Sequence, residues 1–267
     1  MNAIRQWPFL IIASLLLSHT KATSSSNAAS SGSRLLLLDV DNTLYEERCA
    51  GIESQIIRGT HSYCQDVLGM DSQMADELYK QYGSTIEGLQ HTVWKDLSDS
   101  ELQEKLEGFY HAVYDDVDPT SLLLPDMGAS SGSTGYSHDS KEQRKMTRQL
   151  LKSSPLPIAL ASNSPSWHIC KVLRALGLAN VSKECKMFTP DRLCSYPTKN
   201  QPEKFFAAAV DDENDSSGLD QYTSASFLDD SLYNLKRVKG AFPLLIDVVH
   251  HINRKHESGD CEMSNTE

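Results

Sequence analysis

The stretch from Leu35 to Asp41 constrains the fold more than any other part of the chain. Four consecutive leucines are followed by Asp39 and Asp41. A short unbroken apolar run is typical of a strand buried on both faces, as in parallel sheets. Ligand sites in such sheets lie at the carboxyl ends of the strands. Strand alternation places both carboxylates on one side, where they repel unless a cation or a shared proton relieves them. An acidic loop after a strand is the simpler alternative.

Composition limits the classes of partner. The net charge is −11 in 267 residues, which argues against nucleic acid or an anionic membrane as the main partner. An anionic substrate would therefore need local positive charge or a metal ion in its site. The six cysteines form no CxxC pair and have no spacing typical of zinc ligands, so we interpret them as buried thiols.

The chain begins with a segment of a different kind. In residues 1–22, Arg5 precedes an apolar run from Pro8 to Leu17, which is too short for an ordinary membrane span. We expect a secretory-type signal, with the secretory pathway or an organelle reached through it as the destination and no stable membrane span after its removal. An uncleaved anchor stays open, as does a cytoplasmic location if the segment is not used. Residues 23–33 read as a flexible linker.

Helical patterns dominate residues 46–118. Apolar positions at Ile52, Ile56, Tyr63 and Val67 predict a helix that ends near Gly69. Two further helices follow, the first capped by Asp71 and the last preceded by a capping box from Ser98 to Glu101. We therefore expect a helical insertion at 46–118 between two parts of a core, 34–45 and 119–252. Residues 126–140 are rich in Gly and Ser and read as a loop, and 253–267 read as a tail.

Polar side chains follow three predicted strands. Strand Ile158–Ala161 is followed by Ser162 and Asn163, and strand Ser226–Leu228 by Asp229 and Asp230. After Asn163 a helix is expected, with Ser164 as its cap. Two further strands are predicted around Met187–Thr189 and Pro243–Val249.

Alternation of strands and helices predicts an α/β fold with a doubly wound, mostly parallel sheet. Such a sheet gathers its strand ends along one edge. In the chain, Lys199 comes between Asn163 and Asp229 and precedes a predicted helix. Carboxylates with one hydroxyl and one amine suit magnesium-assisted phosphoryl transfer, since Mg²⁺ prefers hard oxygen ligands. The residues concerned are Asp39, Asp41, Ser162, Asn163, Lys199, Asp229 and Asp230.

The order of these residues resembles the four motifs of the haloacid dehalogenase-like (HAD) phosphohydrolase superfamily. The motifs are Asp39-Val-Asp41-Asn-Thr43, then Ser162-Asn163, then Lys199, then Asp229-Asp230-Ser231. The resemblance implies a HAD-like Rossmannoid core with a small helical cap inserted after the first strand. Asp41-Asn-Thr-Leu-Tyr45 and Tyr82-Gly-Ser-Thr-Ile-Glu-Gly88-Leu89 further resemble the pyrimidine 5′-nucleotidase branch of yeast and plants.

The resemblance implies a role for each motif residue. Asp39 would be the nucleophile that forms an aspartyl-phosphate, and Asp41 would protonate the leaving oxygen and later activate water. Ser162 and the amide of Asn163 would bind phosphate oxygens, while Lys199 would stabilise the charge that develops in transfer. Mg²⁺ would be held by Asp39, the backbone carbonyl of Asp41, Asp230 and, directly or through water, Asp229.

The sequence departs from the family pattern at one point that affects which lysine is the motif lysine. In many relatives proline directly follows the motif lysine, whereas here Asn200 follows Lys199 and the proline comes at Pro202. The helix start at Pro202 favours Lys199, and Lys204 is the alternative.

The expected function is a Mg²⁺-dependent phosphomonoester hydrolase, acting on pyrimidine nucleoside 5′-monophosphates. Alternatives are a phosphatase for another small metabolite, such as a sugar phosphate, and a non-catalytic interaction protein with the HAD fold. A true haloacid dehalogenase would need neither Asp41 nor the pair Asp229 and Asp230. The sequence assigns no disulfide pairing and no oligomeric state.

Overall fold

The computed structural model describes residues 34–45, 51–122, 145, 147–149, 151–181, 185–192, 196–206, 222–244 and 246–250. The predicted signal-like segment, the linker, the Gly/Ser-rich loop at 126–140 and the tail at 253–267 all lie outside the described residues.

A five-stranded, all-parallel sheet forms the centre of the molecule, in the order β3-β2-β1-β4-β5, and helices flank it. The α/β class is therefore confirmed, together with the parallel sheet. The strands are β1 (Arg34–Leu38), β2 (Ile158–Ala161), β3 (Lys186–Phe188), β4 (Ser224–Asp229) and β5 (Ile246–His250). Within the described residues, the α-helices with defined bounds are α1 (Ile52–Leu68), α2 (Ser72–Tyr82), α3 (Thr85–His91), α4 (Asp99–Tyr114), α5 (Ser166–Ala175), α6 (Pro202–Phe205) and α7 (Leu232–Ala241).

Strand β1 is the middle strand, as its four leucines predict. Leu36 and Leu38 belong to one apolar cluster, with residues of α5. Leu35 and Leu37 belong to another, with residues of α7. Alternate side chains of a strand point to opposite faces, so β1 separates two cores. Every position of the leucine run is therefore buried.

Helices α1 to α4 lie between β1 and β2, and we call residues 51–122 the helical insert. Its core is a separate cluster that includes Tyr63, Leu106 and Phe109. The cap at Asp71, which accepts a hydrogen bond from the Met74 amide at 2.8 Å, is confirmed, and so is the capping box at Ser98. Val67 does not join the buried face, since its side chain is 58% exposed. Within the described ranges, none of the helices has the length and apolarity to cross a membrane.

Candidate active site

Three neighbouring strands end in polar side chains at one edge of the sheet. Leu38 of β1 is paired with Leu160 of β2 and with Leu228 of β4. Asp39 extends this pairing, because its amide donates to the Leu228 carbonyl at 2.9 Å. The register therefore sets Asp39 beside Asp229 on one side and brings Ser162, just beyond β2, close on the other.

Lys199 joins this edge as a buried cation. Its Nζ donates to Asp39 Oδ1 at 2.5 Å and to Asp229 Oδ2 at 2.7 Å. The lysine is only 1% exposed, whereas Lys204 is exposed on α6. Of the two lysines considered from the sequence, Lys199 is therefore the one that the structure brings to the site.

Burial and charge act against each other in this group. Burial alone would lower the pKa of Lys199, but the charges of Asp229 and Asp39 raise it above its ordinary value. Burial raises the pKa of Asp39; Lys199 opposes this rise, and Asp229 and Asp41 add to it. The ammonium is thus held protonated among more negative charges than it can balance.

Asp39, Asp229 and Asp230 form a group that has the oxygen donors for a metal ion. One carboxylate oxygen from each lies within 4.8 Å of the others. Burial raises the pKa of Asp230 to about 6, and repulsion from Asp229 contributes. Three carboxylates face one ammonium, so a hard divalent cation would relieve the excess negative charge.

The Asp41 carboxylate has its own set of hydrogen-bond donors. Its Oδ2 accepts from Ser164 Oγ at 2.6 Å and from Ser162 Oγ at 3.3 Å, and its Oδ1 accepts from Tyr45 Oη at 2.7 Å. His168 Nε2 lies 3.4 Å from the same Oδ1. Burial would raise the pKa of Asp41, but His168, Ser164 and Tyr45 together lower it below its usual range.

A tight turn after β1 gives the two aspartates their different surroundings. The amides of Thr43 and Leu44 both donate to the Val40 carbonyl, at 3.3 and 2.9 Å. Asn42 has φ 58°, a left-handed conformation that asparagine tolerates better than most residues. The turn brings Thr43 Oγ1 back to donate to Asp39 Oδ2 at 2.9 Å, so both Asp39 oxygens are oriented.

The segment after β2 differs from the sequence prediction at the cap of α5. Ser164 does not cap α5, because its hydroxyl is engaged by Asp41. Asp191 takes that place and accepts from the Ser166 amide at 2.7 Å. Asn163 Oδ1 accepts from the backbone amide of Lys199 at 2.8 Å. Its side chain therefore fixes the lysine backbone at the edge of the site.

Three side chains beside Asp41, those of Tyr45, Ser164 and His168, are not identified as site residues by the sequence. Ser164 lies just before α5 and His168 lies in its first turn, four residues further on. His168 is fully buried. A polar pair at that spacing, directly after Ser162, is the signal that could have identified Ser164 and His168.

Two comparisons with known proteins found no relative of this chain. No protein-family model matches the chain, and a search of curated proteins gave no match either. What the chain does must therefore be inferred from the side chains at this edge of the sheet.

Proposed function

We propose that this protein is a magnesium-dependent phosphomonoester hydrolase of the HAD-like superfamily, acting through an aspartyl-phosphate on Asp39. The observation that supports it most is the grouping of Asp39, Asp229 and Asp230, two of which, Asp39 and Asp229, share the buried ammonium of Lys199. Oriented carboxylates with a cation at the carboxyl edge of a parallel sheet suit phosphoryl transfer, which depends on positioning and charge stabilisation.

Asp39 is the proposed nucleophile. Thr43 and Lys199 hold its two oxygens, so attack on phosphorus needs little reorientation. Lys199 would stabilise the negative charge on the transferring group. Ser162 and the backbone amide of Asn163 would bind phosphate oxygens.

Asp41 is the proposed acid and base. The donors around it favour its ionised form when no substrate is bound, the form needed to activate water on the aspartyl-phosphate. A phosphate dianion that approaches a carboxyl raises its pKa. That shift would favour the protonated form, which is needed when the leaving oxygen departs.

Magnesium would be held by Asp39, Asp230 and the backbone carbonyl of Asp41, with Asp229 as a direct or water-mediated ligand. The donor set fits, because all side-chain ligands are carboxylates and their charges exceed that of Lys199. When bound, the ion would neutralise substrate phosphate and offset repulsion among the aspartates.

The proposed substrates are pyrimidine nucleoside 5′-monophosphates. The support is the resemblance of Asp41–Tyr45 and Tyr82–Leu89 to the pyrimidine 5′-nucleotidase branch. The second stretch includes α3 of the helical insert, which would act as the cap over the site.

A phosphate-release screen tests this proposal. UMP and CMP would be compared with AMP, GMP and sugar phosphates, each with Mg²⁺ and with excess EDTA. We expect the pyrimidine nucleotides to be hydrolysed fastest and EDTA to abolish release. Equal or faster turnover of sugar phosphates would overturn the nucleotidase assignment. No release from any ester would instead favour an interaction protein.

A further inference from the structure

Helix α3 presents a buried acid to the turn that carries Lys199. Glu87 is only 5% exposed. Its Oε2 accepts from Thr198 Oγ1 at 2.9 Å, and both of its carboxylate oxygens accept from Gln201 Nε2, at 3.2 and 3.3 Å. Two neutral donors on either side of Lys199 therefore converge on a single carboxylate.

Further hydrogen bonds join the same two segments. Gln201 Nε2 also donates to Gln90 Oε1 at 3.2 Å, and Asn200 Nδ2 donates to the Tyr82 carbonyl at 3.0 Å. Thr198, Asn200 and Gln201 thus each bond to the helical insert. We call the turn 198–201 the lysine turn.

The lysine turn determines what Lys199 can reach. The lysine side chain has four carbons and many rotamers, yet its Nζ contacts Asp39 and Asp229 at once. A side chain of this length keeps one position where packing and the hydrogen bonds around it lock its conformation, which includes that of its backbone. Asn163 fixes the Lys199 amide, and the bonds to the insert fix the residues around it.

We propose that Glu87 is a positioning residue, which holds the lysine turn against α3 and thereby sets the Lys199 ammonium between Asp39 and Asp229. Among the described residues, no hydrogen bond joins Glu87 to Asp39 or Asp229. Its effect on the reaction passes through Lys199. The kinetic part of this inference rests on the proposed hydrolase function; the placement of Lys199 does not.

A donor–acceptor exchange tests the pairing. Glu87→Gln replaces one acceptor oxygen by an NH₂ group, which then faces the donors of Thr198 or Gln201. In the double variant Glu87→Gln/Gln201→Glu, the amide at position 87 can donate to the carboxylate at position 201, so the contact again joins a donor to an acceptor. Glu104→Gln, at an exposed position of α4, is the matched control for loss of a carboxylate.

The placement of Lys199 is measured without any activity. Limited acetylation followed by mass spectrometry gives the labelling rate of Lys199 relative to exposed Lys204. We expect the rate to rise about tenfold in Glu87→Gln and to return to within about twofold of wild type in the double variant, since a net hydrogen bond amounts to about a factor of ten. An unchanged rate in Glu87→Gln, or no recovery in the double variant, would overturn the proposal.

Kinetic measurements distinguish a residue that positions Lys199 from one that only holds the helical insert against the core. Lys199 acts on the phosphoryl group, so kcat should fall about tenfold in Glu87→Gln for a nucleotide and for p-nitrophenyl phosphate alike, with recovery in the double variant. A fall for the nucleotide alone would assign Glu87 to leaving-group recognition and overturn positioning. If wild type releases no phosphate, the proposed function fails, and the labelling rates alone decide the role of Glu87.

Discussion

At the scale of single residues, the site contains more carboxylates than ammonium groups. Asp39, Asp229 and Lys199 are all nearly inaccessible to water, and Asp230 is partly buried beside them. Removing one partner of a buried ion pair leaves a charge that is neither solvated nor compensated. Removing the ammonium and removing one carboxylate should therefore have opposite effects on stability.

Lys199→Met should strongly destabilise the metal-free protein. The substitution keeps the length of the side chain but leaves Asp39 and Asp229 without their shared ammonium, at a cost of about 3–5 kcal/mol. Urea unfolding in EDTA measures the loss. Lys204→Met, in the exposed position five residues on, should leave the midpoint within error. Equal midpoints for the two variants would contradict the buried ion pair.

Asp230→Asn should stabilise the metal-free protein above about pH 6. The folded-state pKa of Asp230 is raised from 3.8 to about 6, so ionisation of this group is easier in the unfolded chain. The free-energy penalty of ionising Asp230 in the folded protein is absent below the unfolded pKa, grows as the pH rises towards the folded pKa, and stays constant above it. We therefore expect the variant to have a higher Tm at about pH 8 and a nearly unchanged Tm at about pH 3.

The control for that comparison is Asp96→Asn, because the Asp96 side chain is 89% exposed. It should change Tm little at either pH. A gain for Asp230→Asn that is equal at both pH values would contradict the raised pKa and indicate a change in packing instead.

At the scale of elements, the patterns that sequence reveals well are those with a strong period or a clear cap. The leucine run of β1, the capping box at Ser98 and the end of α1 at Gly69 are all where the sequence predicts them. Helix α3 is not predicted as a helix from the sequence, where its stretch carries only the resemblance to the nucleotidase branch. It is seven residues long and starts two residues after Gly83, so it offers too few turns for a period.

Gly83→Ala tests how α2 is joined to the rest of the molecule. Gly83 has φ 81°, and a Cβ there would clash with the Tyr233 ring of α7. Gly69 has φ 65° with open space around it. Both alanine variants incur backbone strain of about 1–2 kcal/mol, but only Gly83→Ala must also displace an aromatic ring. We expect it to have the lower Tm of the two by at least about 2 °C.

Equal Tm values for Gly83→Ala and Gly69→Ala would show that the Tyr233 ring moves away at little cost. The contact between the end of α2 and α7 would then contribute little to stability.

At the scale of the whole molecule, parallel topology explains why the strand-end residues could be predicted together. Asp39, Ser162 and Asp229 lie at the carboxyl ends of strands that are neighbours in the sheet, so the strand order alone brings them together. Contacts between long side chains from distant segments have no such rule. Glu87 and Thr198 are 111 positions apart, and nothing in local spacing indicates that they touch. Likewise, helical period gives the buried face of α1 but not that Val67 lies outside it.

The most direct test of the central claim is phosphate release by Asp39→Asn. The amide keeps the shape of the side chain but is a poor nucleophile, so release should fall by at least about a thousandfold. Circular dichroism should show the same helix and strand content as wild type. Phosphate release by Asp39→Asn at the wild-type rate would contradict an aspartyl-phosphate mechanism at this site.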